Sequence, residues 1–208
     1  LLMAAKNSVK EFVPDAYYHL YNRGVEKRTI FLDDRDRAVF ISYLKTYLLP
    51  KGTDALQAIL ANPESSYKEK GRALKLLRLN NFAATLTLLA YCLMPNHFHF
   101  LVKQTEATTI DQFMNSFGVR YSMYFNRKYR RVGGLFQGVY KAVRVTSDEQ
   151  LLHLSRYIHS NPIALALQDH LLHGYSYSSY PQYLGLAHAE WVHPEEILGY
   201  YPKSGKKG

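Results

Sequence analysis

The stretch from Ala84 to Val102 constrains the fold most. Ala84 to Met94 is a nearly unbroken apolar run, Pro95-Asn96 follows, and His97-Phe98-His99-Phe100-Leu101-Val102 resumes at once. Two apolar runs of strand length divided by a two-residue turn signal read as a tight hairpin, with strands over 84–94 and 97–103. Alternation on the second strand sends Phe98, Phe100 and Val102 to one face and His97, His99 and Leu101 to the other.

The remaining elements follow from periodicity and punctuation. A Tyr-rich strand is expected over 16–22, ending at the turn signal Arg23-Gly24. Residues 33–49 read as a helix, because Phe40, Tyr43, Leu44, Tyr47 and Leu48 fall at i, i+3, i+4, i+7 and i+8. Pro50-Lys51-Gly52 ends it. Thr109 to Gln112 has the form of a capping box opening a helix to about Tyr129, with Phe113, Phe117, Tyr121, Tyr124 and Phe125 on its apolar face and Gly133-Gly134 as its breaker. A strand over 140–146 comes next. Ser147 to Gln150 is a second capping box, opening a helix to about Ser160; Pro162 biases Asn161 out of the helical region and stops it. The order is βαββαβ plus one helix. That predicts an α+β chain with a ferredoxin-like or RRM-like antiparallel sheet, helices on one face and an added C-terminal helix. The third strand is then central, with its histidines on an exposed or helix-covered face. Residues 1–15 read as an N-terminal extension, 16–185 as one domain and 186–208 as a C-terminal tail. Within the domain, 53–80 reads as an insertion with two short helices.

Composition narrows the partners. With 47% hydrophobic and 21% charged residues the chain is an ordinary globular one, which excludes wholesale disorder. Lys plus Arg is 26 against 17 for Asp plus Glu, a formal net charge of +9 that calls for a polyanion, either nucleic acid or an acidic membrane surface. No apolar run reaches transmembrane length, and Leu1 to Asn7 lacks the shape of a signal peptide. The single Cys92 rules out an internal disulfide framework and a multi-cysteine zinc site, and it favours the cytosol. The charge is localised: from Gln112 to Ser147 there is no Asp or Glu, while Arg120, Arg127, Lys128, Arg130, Arg131, Lys141 and Arg144 all lie there. Tyr121, Tyr124, Tyr129 and Tyr140 are interleaved with them. Phosphate contact and base stacking need that mixture. A solvated helix face is the bland alternative, but such faces usually mix signs. A membrane surface suits the stretch poorly, since it is glycine-broken and not one long amphipathic helix.

Two small constellations carry chemistry. His97 and His99 share a strand face with β-carbons about 6–7 Å apart, close enough for two imidazoles to ligate one ion; they can equally be two histidines on a partly exposed sheet. His153, Tyr157 and Asn161 are spaced four apart along one helical stripe, so Asn161 offers a carbonyl oxygen and Tyr157 a phenol. A phenol beside a divalent ion and a phosphate is a candidate nucleophile; the alternative is one more edge of an amphipathic core.

Taken jointly, these segments resemble the HUH endonucleases, and among them the single-tyrosine transposases. Pro95-Asn96-His97-Phe98-His99-Phe100-Leu101-Val102 resembles their histidine-hydrophobic-histidine motif. Tyr18-His19-Leu20-Tyr21-Asn22-Arg23-Gly24 with Ile30-Phe31 is similar to the family's opening. Blocks at Gly134 to Lys141, Tyr157 to Pro162 and Tyr175 to Tyr180 are similar to later motifs, in the family's order. The nearest subgroup is that associated with repetitive extragenic palindromes. The resemblance implies a metal-dependent endonuclease and strand transferase that cuts single-stranded DNA, often beside a hairpin, and leaves a 5′-phosphotyrosine. It implies His97, His99 and Asn161 as ligands of Mg²⁺ or Mn²⁺, with Tyr157 as nucleophile. Arg23 and the seven basic residues named above are the candidate DNA contacts. His19 reaches the site if the first strand neighbours the third; otherwise it is structural or bonds DNA. Val139 and Ile163-Ala164-Leu165 stand where relatives often carry arginine, so two contacts are expected to be missing. The implied setting is the cytoplasm, at a prokaryotic nucleoid, with no membrane partner and with a homodimer or a monomer both open. The reading from another class is a non-catalytic single-stranded nucleic-acid-binding module with an RRM-like sheet.

Overall fold

A computed structural model describes residues 11–165 and 174–201 of the chain. The first ten residues of the N-terminal extension, 166–173 and the basic run at 203–207 lie outside the described residues. The hairpin forms as its alternation predicts: β2 (Leu86–Met94) pairs antiparallel with β3 (His97–Gln104) across Pro95-Asn96. β1 (Ala16–Arg23) and β4 (Lys141–Val145) complete a four-stranded antiparallel sheet in the order β2-β3-β1-β4. With α1 (Asp34–Leu48) after β1 and α4 (Thr109–Tyr129) after β3, this is the ferredoxin-like arrangement, and β3 and β1 are its central strands.

One sheet face is aromatic. Phe98 and Phe100 of β3 stack with centroids 4.6 Å apart and meet Phe40 of α1. The ring of Phe40 stands edge-on to Phe117 and Tyr121 of α4, at 4.6 and 4.8 Å. Each such pair contributes about 0.5–1.5 kcal/mol beyond its area, so β3 is held rigidly from behind. The other face carries Leu89, Ala90, Cys92, Met94 and Leu101, covered by Leu151, Leu154 and Ile158 of α5 (Asp148–Ser160). β2 serves both faces through an irregularity between Leu88 and Ala90. The extra residue there switches the parity of the strand: Leu86 and Leu88 join the aromatic core before it, Tyr91 and Leu93 after it. Covered on both faces, β2 can be apolar at nearly every position.

Several boundaries differ from the sequence expectation. α4 is not opened by a box at Thr109. Its N-cap is Thr108, without a side-chain bond, and the buried Gln104 accepts from the Ile110 amide at 3.1 Å instead. The same helix ends at Tyr129, where the sequence places it, but its cap is Arg130 rather than the glycines: the left-handed conformation there (φ 51°) lets the Arg130 and Arg131 amides both reach the Asn126 carbonyl. At α5, Ser147 accepts from the Gln150 amide, while the Gln150 side chain turns to Thr146. Residues 53–80 hold α2 (Thr53–Ala61) and α3 (Tyr67–Arg78), which pair with each other. Beyond 185, Trp191, Val192 and Ile197 enter the core, and Trp191 stacks on Tyr91. The outer edge of β2 is occupied too: Leu93 donates to Tyr177, Ser179 to Tyr91 and His193 to Leu88.

Candidate active site

Sheet register assembles the site. β1 and β3 run antiparallel with Tyr21 opposite His99 and Arg23 opposite His97, so Tyr17, His19, Tyr21 and Arg23 share the face of the two histidines. α5 lies over this face, rolled so that Leu151, Leu154 and Ile158 point inward. That roll leaves Tyr157 at the rim, 39% exposed. Its ring stands edge-on 5.6 Å from His99 and 6.1 Å from His19.

The end of α5 departs from expectation in a useful way. Asn161 stays helical (φ −53°, ψ −40°) and begins a short 3-10 turn, Asn161–Leu165. Its amide donates to the Ile158 carbonyl, one residue closer than in an α-helix, which deprives the Tyr157 carbonyl of its usual donor. The Asn161 side-chain Nδ2 takes that place at 2.8 Å. Pro162, lacking an N–H, is accommodated in the tighter turn. The Tyr157 backbone and the Asn161 side chain are thus tied together through the amide nitrogen, and the Asn161 side chain also bonds His97.

The imidazoles are equally constrained. His97 Nδ1 lies 2.7 Å from Asn96 Oδ1, and His99 Nδ1 lies 2.8 Å from His19 Nε2. Burial pushes the His19 pKa down to about 4. Burial, with His19 and His97 adding, lowers His99 strongly. Burial also lowers His97, a hydrogen bond with Asn161 opposing it and Arg23 adding to it. All three are therefore neutral at neutral pH, with lone pairs available. Among the described residues, no group of three or more His, Cys, Asp or Glu side chains is arranged to hold a metal ion. A cation at His97 and His99 would therefore draw on the Asn161 amide oxygen as well. Two nitrogens and one amide oxygen, each fixed through its other polar atom, make a donor set that fits Mg²⁺ or Mn²⁺ with positions open to phosphate. His153 is exposed.

The basic residues separate into two groups. Arg23, paired with Gln137, and Lys141, opposite Tyr21, flank the histidine face. Arg120, Arg127, Lys128, Arg130 and Arg131 belong to α4 and its end, behind the sheet, and Arg144 lies opposite Tyr18, whose ring is in the aromatic core. Three of these have structural partners: the Lys128 amine sits 2.6 Å from Asp33 and 2.7 Å from Asp36, Arg120 lies 3.9 Å over the Tyr43 ring, and Arg131 donates to Asn126 Oδ1 at 2.9 Å. Arg127, Arg130, Lys141 and Arg144 form no ion pair among the described residues. Two phenols of the basic stretch are committed elsewhere, Tyr124 to Asp36 and Tyr140 to Asp111. Sequence spacing does not nominate Tyr21, because its place beside His99 depends on the β1–β3 pairing; its signal is the alternation Tyr17, His19, Tyr21, Arg23. That same pairing brings His19 into the site.

The family model of IS200-like transposases matches residues 69–161, somewhat under half of the chain, a span that contains His97, His99, Tyr157 and Asn161. No curated protein matches the chain. Among solved structures, a REP-associated tyrosine transposase bound to a REP hairpin aligns with a TM-score of 0.49 and 8% identity, over 91% of this chain and 98% of that one. A candidate transposase from Deinococcus radiodurans R1 aligns with a TM-score of 0.29 and 16% identity, over 76% and 97%. No helix among the described residues is long and apolar enough to cross a membrane.

Proposed function

We propose that the chain is a transposase-type endonuclease and strand transferase acting on single-stranded or hairpin DNA. The observation that carries this reading is the convergence of Tyr157, His97, His99 and Asn161 at one rim of the sheet, within the segment that matches the IS200-like transposases. His97, His99 and Asn161 would hold Mg²⁺ or Mn²⁺, and such an ion would supply polarisation of the scissile phosphate and an offset to charge on the departing oxygen. The Tyr157 oxygen attacks phosphorus. A Tyr–O–P bond forms as the bond from phosphorus to the 3′-oxygen breaks; the phenol gives up its proton and the 3′-oxygen takes one up. The products are a 5′-phosphotyrosine and a free 3′-OH. Arg23 and Lys141 flank the strand, and the α4 arginines extend the positive surface behind the sheet.

A binding-only module with an open, RRM-like sheet is disfavoured by one observation: the face opposite α1 and α4 is covered by α5. The two readings divide in one experiment. The chain is incubated with hairpin-bearing single-stranded DNA and Mn²⁺ and run on a denaturing gel. A covalent protein–DNA band is expected, and it disappears in Tyr157→Phe while DNA affinity stays within a few-fold. An adduct that persists in the Phe variant places the nucleophile on another tyrosine.

A further inference from the structure

We infer that His19 is a positioning residue: it accepts the Nδ1 proton of His99 and so leaves His99 Nε2 as the bare nitrogen that ligates the cation. The inference rests on the reading proposed above and assigns a role outside it. His19 Nε2 and His99 Nδ1 are 2.8 Å apart, with the rings stacked at 5.0 Å and both residues buried. Two ring nitrogens at that distance share one proton, because two lone pairs repel and two N–H groups clash. If His19 donated, the His99 proton would sit on Nε2 and block it. If His99 donates, Nε2 is free.

The proposed site decides between these: because His19 occupies His99 Nδ1, a His99 that ligates must do so through Nε2. His97 is placed alike, its Nδ1 facing Asn96 Oδ1, an oxygen that accepts a proton held on that nitrogen. The adjacent ligand needs a matching acceptor, and His19 Nε2 occupies that position. Ligating histidines are commonly oriented by such a partner on the second ring nitrogen. With His19 Nε2 accepting, the His19 proton is on Nδ1, which is buried without a hydrogen-bond partner among the described residues, an unmet donor that this arrangement carries. The Tyr21 ring at 4.8 Å and the edge-on Tyr157 ring keep His19 in place.

The test uses the full chain and Mn²⁺ alone, with binding followed by electron paramagnetic resonance in wild type, His97→Ala, His19→Phe and His19→Gln. The Phe variant is expected to bind Mn²⁺ about 10- to 100-fold more weakly. Gln, which can place an acceptor where Nε2 was, recovers most of the loss. Long-range ¹⁵N–¹H spectra of metal-free wild type should show the His99 proton on Nδ1, a readout that stands even if His19→Phe fails to fold. A His99 proton on Nε2, wild-type Mn²⁺ affinity in His19→Phe, or equal losses in Phe and Gln would each overturn the inference and leave the proposed function standing. Wild type that binds no Mn²⁺, or binds it undiminished in His97→Ala, overturns the metal reading itself and this inference with it.

Discussion

At the scale of single residues, His97 and His99 stand in different surroundings although the sequence presents them as a pair. His99 is buried and its Nδ1 is bonded to His19; His97 is half-buried and leans on Asn96, itself half-buried. Replacing either by Ala is expected to abolish cleavage, since each removes a ligand of the proposed ion. The effects on folding should differ. His99→Ala also leaves His19 with both nitrogens unmet, which costs about 1–3 kcal/mol for a buried polar group. His97→Ala should cost less than that. Thermal unfolding of the metal-free variants measures the difference, and EDTA followed by Mn²⁺ should switch cleavage off and on in wild type. Equal thermal losses would show that the His19–His99 contact contributes nothing to stability.

At the scale of elements, the acid-free stretch pairs with acid from elsewhere in the chain. Asp36 near the start of α1 is fully buried and accepts from the Leu32 amide, Tyr124, Tyr129 and Lys128, which ties the start of α1 to the end of α4. Burial pushes its carboxyl up, but these bonds, that from Lys128 first, outweigh it and hold the pKa below the usual carboxylate value. A depressed folded pKa contributes stability that is complete above the unfolded value near 3.9 and is lost as pH falls through the folded one. Acid unfolding below about pH 4 should therefore be steep in wild type and flatter in Asp36→Asn. Lys128→Met, by orphaning the carboxylate, should cost about 2–4 kcal/mol, somewhat under a fully buried pair because Lys128 is partly open to water. Urea unfolding of each variant across pH tests both. This network also marks the limit of what the sequence could tell. Strand alternation, helical stripes and the Pro95-Asn96 turn are local patterns, so the βαββαβ order and the two faces of β3 were legible. The Asp36 hub and the burial of Trp191 and Ile197 join residues far apart in the chain; the Gln104 cap on α4 and the parity switch in β2 are local but follow no repeating period, so no period reports any of them. The site divides in the same way: His97 with His99 and Tyr157 with Asn161 are local spacings, whereas His19 and Tyr21 enter only through the β1–β3 register.

At the scale of the whole molecule, a net charge of +9 would draw in the DNA of the proposed function, and the structure says which charges are free to act. Arg23 and Lys141 lie beside the histidine face; Arg127, Arg130 and Arg144 form no ion pair among the described residues; Lys128 is occupied by Asp33 and Asp36. Each phosphate contact on a single strand lowers the slope of log affinity against log salt by about 0.7. Four to six contacts give a slope of about −3 to −4, so a threefold rise in salt should weaken binding roughly 20- to 100-fold. The variants then separate the two kinds of basic residue. Arg127→Gln and Arg130→Gln should each make the slope shallower by about 0.7, whereas Lys128→Met should leave it unchanged while lowering the unfolding midpoint. Binding isotherms for a single-stranded hairpin at four or five salt concentrations measure all three. A slope near zero in wild type would remove phosphate contact as the source of affinity. A change of about 0.7 in Lys128→Met would mean that its amine leaves the two carboxylates when DNA arrives.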